Sequence, residues 1–416
     1  MNVKKYVLFQ LRSWLPMIIA MSAIVISITV IIGLNASPYI SVSMNSGADY
    51  QTSHELFALY HSAFSCLIGM MIPSLLACCV LPFFAYSHRY GKIRADCFLS
   101  LPVRSGKVTQ VRMLLAGAIL LSIYFVSYLL GILACIAKQS ALIASALRTI
   151  EANAAYISDY TVSSPAYGWY FLGWALGGLV VASMFLINAF LIGQGSNLLQ
   201  GVIAMIAGHT AIILLVPSFL LLPSFAIENT SWLNSLGYGS PFLFMPSFYA
   251  PLVFIEMTLG TLEKNLASCY ESCMEYVSHW NLWFSSSLFL LLGGGALATL
   301  LLGKEPGGEF AGENRPRSMF AFLLPHFAFT AVLLFSAVSR YALGSIFYGS
   351  SYFSTFLPLF LTTFVWGAGL YYVCLSLYNR SFKLDRLNWI IFASVNGFAL
   401  CCLFLSSIDL CLNLNL

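Results

Sequence analysis

Within the long apolar stretches of this sequence, the polar titratable side chains are His209 and His326. Each has two readings: a ligand contact or pH sensor, or a neutral imidazole hydrogen-bonded to a helix carbonyl. No Asp, Glu, Lys or Arg lies well inside these stretches, and intramembrane ionisable groups are the usual mark of ion or proton coupling. Paired carboxylates for acid–base hydrolysis are missing there as well. On the cytoplasmic side of the stretches, Asp96, Glu305, Glu309 and Glu313 with His88 are the acids and bases that a site at that membrane face would draw on. Their spacing fits neither a metal cluster nor a nucleophile triad. The 11 cysteines show no repeated C-x-x-C, and most sit in apolar runs, where a thiol behaves as a small hydrophobe. Cys269 and Cys273 stand at i, i+4. A disulfide between them requires non-helical backbone, because a helical turn holds their Cα atoms near the upper limit for bridging. No G-x-x-x-x-G-K-[ST] occurs, so no phosphate-cradling loop is present. The expectation is a chain with no catalytic residues, no metal and no cofactor of its own.

The elements that position these residues follow from composition. Of 416 residues, 60% are hydrophobic and 8% charged, against roughly a quarter charged in a soluble domain. No soluble fold of this length hides that much apolar surface. The fold class is therefore all-α integral membrane, a polytopic helical bundle with the lipid bilayer as its solvent. Runs of about 20 apolar residues cross a ~30 Å hydrocarbon core. Nine are found, at 14–34, 63–86, 113–137, 168–193, 199–223, 281–303, 319–338, 355–378 and 388–410. The first lacks an A-x-A exit and reads as a spanning helix rather than a signal peptide. A net charge of +4 is too small to suggest a nucleic-acid partner.

Where the cations lie is more informative. With the N-terminus in the cytoplasm, only Lys138, Arg148, Lys264 and Arg340 of the 19 Lys and Arg fall outside, which satisfies the positive-inside rule. Lys107 and Arg112 open the third span, where the helix dipole disfavours cations. The positive-inside bias accounts for their place. Gly293, Gly294 and Gly295 interrupt a span and are expected to serve close helix packing. Gly173-x-x-x-Gly177 has the spacing of a helix contact.

Two external segments are not simple loops. Residues 141–156 place Leu142, Ala146, Leu147, Ile150 and Ala154 at helical spacing, which predicts an interfacial helix. Residues 224–280 are too broken by Pro246 and Pro251 for a span and too apolar for water, which predicts a re-entrant or interfacial hairpin. Between spans two and three, Ile93, Cys97, Phe98 and Leu101 recur at i, i+4, i+5 and i+8. This marks a short amphipathic helix, closed by Pro102, with Ser105 able to cap the next one. Such a helix lies on a lipid surface or docks into a groove on a soluble partner.

Here the sequence resembles a known family. Leu99-Ser100-Leu101-Pro102-Val103-Arg104, preceded by Asp96 and followed by Val108, Arg112 and 114–117, is similar to the first cytoplasmic loop of ABC-2 type transporter permeases. That loop reads as an acid, S-L-P, a basic residue, an aliphatic and a Lys/Arg opening the third span. The Arg expected just before the third span is Ser105 here, with Arg104 one place earlier. A second segment, Glu309-Phe310-Ala311-Gly312, resembles the R-x-x-E-x-A-G run of one branch, with the basic residue displaced to Lys304.

The resemblance implies a bacterial plasma-membrane permease subunit of an ATP-driven exporter. Residues 1–303 would form a six-span core, with a coupling helix near 92–102 and the external segment near 224–280. Residues 304–416 would form a three-span extension. A separate cytoplasmic ATPase, holding the ATP and Mg, would receive Arg94, Asp96, Phe98, Leu99, Leu101, Pro102 and Arg104, with Glu309, Ala311 and Gly312 as the second cytoplasmic motif. Two permeases, identical or paralogous, would pair around a path lined by spans two and five. Its candidates are Phe64, Met70, Met71, Ser74, His209, Thr210, Ile213 and Pro217, each with helix packing as the competing explanation. Export of a hydrophobic, peptide-like or lipid-like cargo is the family's usual direction. Two rival readings stand beside it: a membrane sensor or immunity module allied to an ATPase, and a membrane-embedded lipid-processing enzyme.

Overall fold

Apolar runs that must satisfy every backbone N–H and C=O without water have one local solution, the α-helix. The computed structural model of the chain describes residues 3–35, 39–44, 69–90, 105–154, 157–163, 167–221, 250–252, 280–302, 318–347 and 352–413. Among these residues a helix lies in each of the nine apolar runs. These are α1 (Val3–Leu34), α2 (Gly69–Tyr86), α3 (Ser105–Ala152), α4 (Tyr167–Gly193), α5 (Leu198–Leu221), α6 (Trp280–Leu302), α7 (Met319–Phe347), α8 (Tyr352–Asn379) and α9 (Arg386–Asn413). Among the described residues, α1 to α6 are each long and apolar enough to cross a membrane. The chain is a helical, multi-pass membrane protein. Its exposed surface is correspondingly apolar: Leu302 is 84% exposed and Leu291 71%, while Gln10, Asn188 and Gln200 are buried.

Two local outcomes differ from expectation. Residues 141–152 are not a separate interfacial helix. They continue α3, which runs for 48 residues, because no proline or glycine falls between Gly131 and Ala152 to stop it. At 1.5 Å per residue α3 is about 72 Å long, more than twice the hydrocarbon thickness. The second difference is a two-stranded antiparallel ribbon. β1 (Tyr39–Met44) pairs with β2 (Ile157–Ser163), from Tyr39 opposite Ser163 to Met44 opposite Ile157, with a bulge between Ser43 and Met44. The segment after α1 is thereby tied to the segment before α4. Apart from 250–252 and Trp280, which opens α6, the hairpin expected at 224–280 lies outside the described residues.

Backbone contacts divide the chain into two compact units. The first comprises the described residues within 1–82, 111–186 and 251–278, and the second those within 83–110, 187–250 and 279–416. In the first unit, helices meet at glycines. A side chain on Gly33 of α1 would overlap the backbone of Gly131 on α3, and one on Gly177 of α4 would overlap Tyr124 and Met71. Gly177 of the small-residue pair is thus a contact within this chain. Beside it, α3 and α4 exchange hydrogen bonds: Tyr124 donates to the Trp174 carbonyl (2.9 Å), and the Trp174 indole donates to the Phe125 carbonyl (3.0 Å).

In the second unit, α7 packs along α5 and also against α8 and α9. Tyr371 of α8 stacks on Phe329 of α7 with ring centroids 4.6 Å apart. The Tyr378 hydroxyl donates to the Ala321 carbonyl (2.8 Å). Helix α8 ends in a left-handed cap at Arg380 (φ 48°). There the Ser381 amide reaches the Ser376 carbonyl and the Arg380 amide that of Leu377, a Schellman arrangement usually given to glycine.

Gly294 and Gly295 contradict the packing expected of them: a methyl group added at either meets nothing within 4 Å. Gly33→Ala is therefore expected to lower the melting temperature of the detergent-solubilised chain, at a cost of about 1–3 kcal/mol from overpacking. Gly294→Ala is expected to leave it unchanged or raise it, since alanine favours a helix interior by about 1 kcal/mol.

Candidate functional site

The connection between α2 and α3 carries the amphipathic segment. Residues 91–104, and with them Arg94, Asp96, Phe98, Leu99, Leu101, Pro102 and Arg104, lie outside the described residues, but both ends are described. After α2 the chain makes one 3₁₀ turn, Ser87–Arg89, which buries His88. Its Nδ1 stands 3.1 Å from the Ala85 carbonyl and its Nε2 3.1 Å from Thr109 Oγ1 in the first turns of α3. A carbonyl only accepts, so Nδ1 carries the proton, and in the neutral ring Nε2 accepts from the Thr109 hydroxyl. This bond staples the two ends of the connection. Next to it, Gln110 donates to the Leu300 and Leu301 carbonyls at the end of α6 (3.2 and 3.0 Å), filling acceptors that a helix terminus leaves open.

The tight α4–α5 turn belongs to the same unit. Asn197 caps α5 by accepting from the Gln200 amide (3.0 Å), and Gln200 reaches back to accept from the Ser196 amide (3.0 Å). The two bonds make a variant of the capping box, with the returning bond taken from the residue before the cap. The Gln200 side-chain amide donates to the Tyr378 carbonyl of α8 (3.0 Å). Gln194 accepts from Ser318 (3.0 Å), which also caps α7 through the Ala321 amide. Tyr86 packs where a side chain on Gly193 would stand, and Gly195 abuts the backbone of Gly201, so neither tolerates a Cβ without displacement.

The first unit holds a different polar device. Arg112 of α3 is 2% exposed. It donates to Gln10 (2.9 Å), lies 5.0 Å from the centroid of the Trp14 ring, and interacts electrostatically with Tyr6. Tyr6, Gln10 and Trp14 stand at i, i+4 and i+8, one stripe of α1. A hydrogen bond and an aromatic face replace water around the guanidinium.

The candidate path residues are placed as follows. Met70, Met71 and Ser74 are buried on α2, with the first two against Gly131 and Gly177. His209 donates through Nε2 to Asn188 Oδ1 of α4 at 2.5 Å, a side-chain partner rather than a helix carbonyl. Thr210 and Ile213 are partly buried, and α5 runs on through Pro217. An apolar cavity of about 620 Å³ opens between α4, α5, α6 and α7, lined by Ile187, Leu191, Gly208, Ala211, Gly295 and Phe320 among others. His209, Thr210 and Ile213 are not among its described lining. His326 is buried between Tyr371, whose hydroxyl donates to Nδ1, and Asn388, which accepts from Nε2 (3.0 Å). Phe64, Cys269, Cys273, Glu309, Ala311 and Gly312 lie outside the described residues. Among the described residues no group of three or more His, Cys, Asp or Glu could hold a metal.

The sequence reading passed over His88–Thr109, Gln10–Arg112 and Gln200. The signals were a glutamine in an apolar helix four residues from an aromatic on either side, and the N-x-x-Q spacing of a cap. Arg112→Lys is expected to destabilise the solubilised chain by about 1–3 kcal/mol, read as a lower melting temperature. A lysine cannot keep both the Gln10 bond and the planar contact with Trp14. An unchanged melting temperature would show that the clamp contributes nothing. No family model, curated protein or solved structure matches this chain.

Proposed function

We propose that this chain is the permease subunit of an ATP-driven ABC-2 type exporter in a bacterial plasma membrane. In this reading the N-terminus is cytoplasmic, all nine apolar helices span the bilayer, and the chain has no ATPase site of its own. A separate cytoplasmic ATPase hydrolyses ATP with Mg, and a second permease, identical or paralogous, completes the path. The single observation that carries the reading is the segment Asp96 to Arg104 on a connection whose base is closed by His88 and Thr109. A segment that conveys motion from a soluble partner has to be joined firmly to the helices it moves. A buried side-chain bond between the end of α2 and the start of α3 supplies that joint.

The polar chemistry is consistent with energy arriving from outside the bilayer. Two described histidines inside the spans are held by uncharged side chains, His209 by Asn188 and His326 by Tyr371 and Asn388. The extension α7–α9 packs on α5, the helix proposed to line the path, and gives that helix a support within the same chain. The cargo in this reading is hydrophobic, peptide-like or lipid-like.

Deleting 94–101, or Leu101→Asp, is expected to abolish co-purification of an ATPase while the chain still inserts. His88→Ala is expected to weaken that association, because the Thr109 hydroxyl loses its partner and the base of the connection loosens. Retention of a stoichiometric ATPase by the deletion variant would overturn the assignment of this segment.

A further inference from the structure

We propose that a groove between α1 and α3 seats an acyl chain of an anionic phospholipid, with the lipid phosphate held by Arg12. The groove has a volume of about 620 Å³. Leu15, Ile18 and Ile26 of α1 and Ile119, Ile123 and Val126 of α3 form its walls. Ala118 and Ser122 recess the α3 side, and the Ser122 hydroxyl is already engaged, donating to the Ala118 carbonyl at 2.8 Å. Ser22 of α1 lines it as well, so the groove presents hydrocarbon along most of its length, a hydroxyl on the α1 side and a cation at one end.

That cation differs from its neighbour on α3. Arg112 is enclosed by α1, whereas Arg12 is exposed, and no hydrogen bond or ion pair among the described residues engages it. Lys5, also exposed, lies seven residues earlier and so on the same side of α1. Both stand toward the α1 end that the charge distribution assigns to the cytoplasm, where anionic headgroups attract basic side chains. From Leu11 to Ile26 the groove follows about 22 Å of helix, enough for an acyl chain to reach through one leaflet of a ~30 Å core. Because both helices are membrane spans, the fluid against this face is lipid. The apolar walls accept any acyl chain, and Arg12 gives the preference for a phosphate headgroup of net negative charge.

The test uses the full chain in nanodiscs of mixed phosphatidylglycerol and phosphatidylcholine, followed by native mass spectrometry of the lipids retained on release into mild detergent. The unaltered chain is expected to retain phosphatidylglycerol about fivefold above its bulk proportion, the factor that one cation near a charged membrane surface supplies. Arg12→Ala is expected to bring the two lipids to their bulk ratio while lipid is still retained. Ser122→Phe, which fills the groove, is expected to lower retention of both. The proposal is overturned if the unaltered chain shows no preference, or if Arg12→Ala keeps it. It is equally overturned if Ser122→Phe changes the oligomeric mass and not the lipid count, because a second copy would then cover this face.

Discussion

In hydrocarbon a polar group has no water to fall back on, so a partner inside the chain counts for more than in a soluble fold, and much of this structure is arranged around that demand. Helices meet it for the backbone. For the side chains it is met by short, specific bonds between helices: His88 to Thr109, Gln200 to the Tyr378 carbonyl, His209 to Asn188, Arg112 to Gln10. Apolar burial cannot select one helix arrangement over another when the solvent is equally apolar. These bonds, and the glycines that let backbones approach, are what select it here. Gly33 against Gly131 and Gly177 against Tyr124 leave no room for a side chain. A register slip at either place would replace close contact with overlap.

The same demand shows how the last three helices are held. His326 of α7 joins Tyr371 of α8 and Asn388 of α9 through its two ring nitrogens, so one imidazole links three helices. Gln194 and Gln200, on the turn into α5, reach Ser318 and Tyr378. Helices α5, α7, α8 and α9 therefore belong to one hydrogen-bonded unit. A movement of α5 against its surroundings has to carry α7 along or break these bonds. The C-terminal helices are thus mechanically part of α5's environment.

Much of this was legible in the sequence. Among the described residues each of the nine apolar runs holds a helix, six of them long and apolar enough to cross a membrane, because a run of that length in lipid has no other local solution. The ribbon was not anticipated: a search for long apolar runs passes over six residues in which Ile40, Val42 and Met44 alternate with Ser41 and Ser43. The length of α3 was hidden because hydropathy falls at Lys138 while helix propensity does not. Residue pairing was hidden for a deeper reason. That His88 faces Thr109, or that Tyr6, Gln10 and Trp14 surround Arg112, depends on how helices are rotated against one another, and one chain's hydropathy does not encode rotation. The path candidates were chosen by helix number, and which neighbours they meet was not legible: the structure buries Met70 against Gly131 and Met71 against Gly177.

The central claim is that residues 91–104 meet a soluble, ATP-hydrolysing partner. The most direct measurement is photo-crosslinking in living cells from a reactive residue placed at position 98, on the apolar stripe of the amphipathic segment. One discrete adduct with a cytoplasmic ATPase is expected, and it should disappear when the probe is moved to position 145 on the far part of α3. Adducts to lipid alone from position 98 would contradict the claim and make the segment a surface-lying helix.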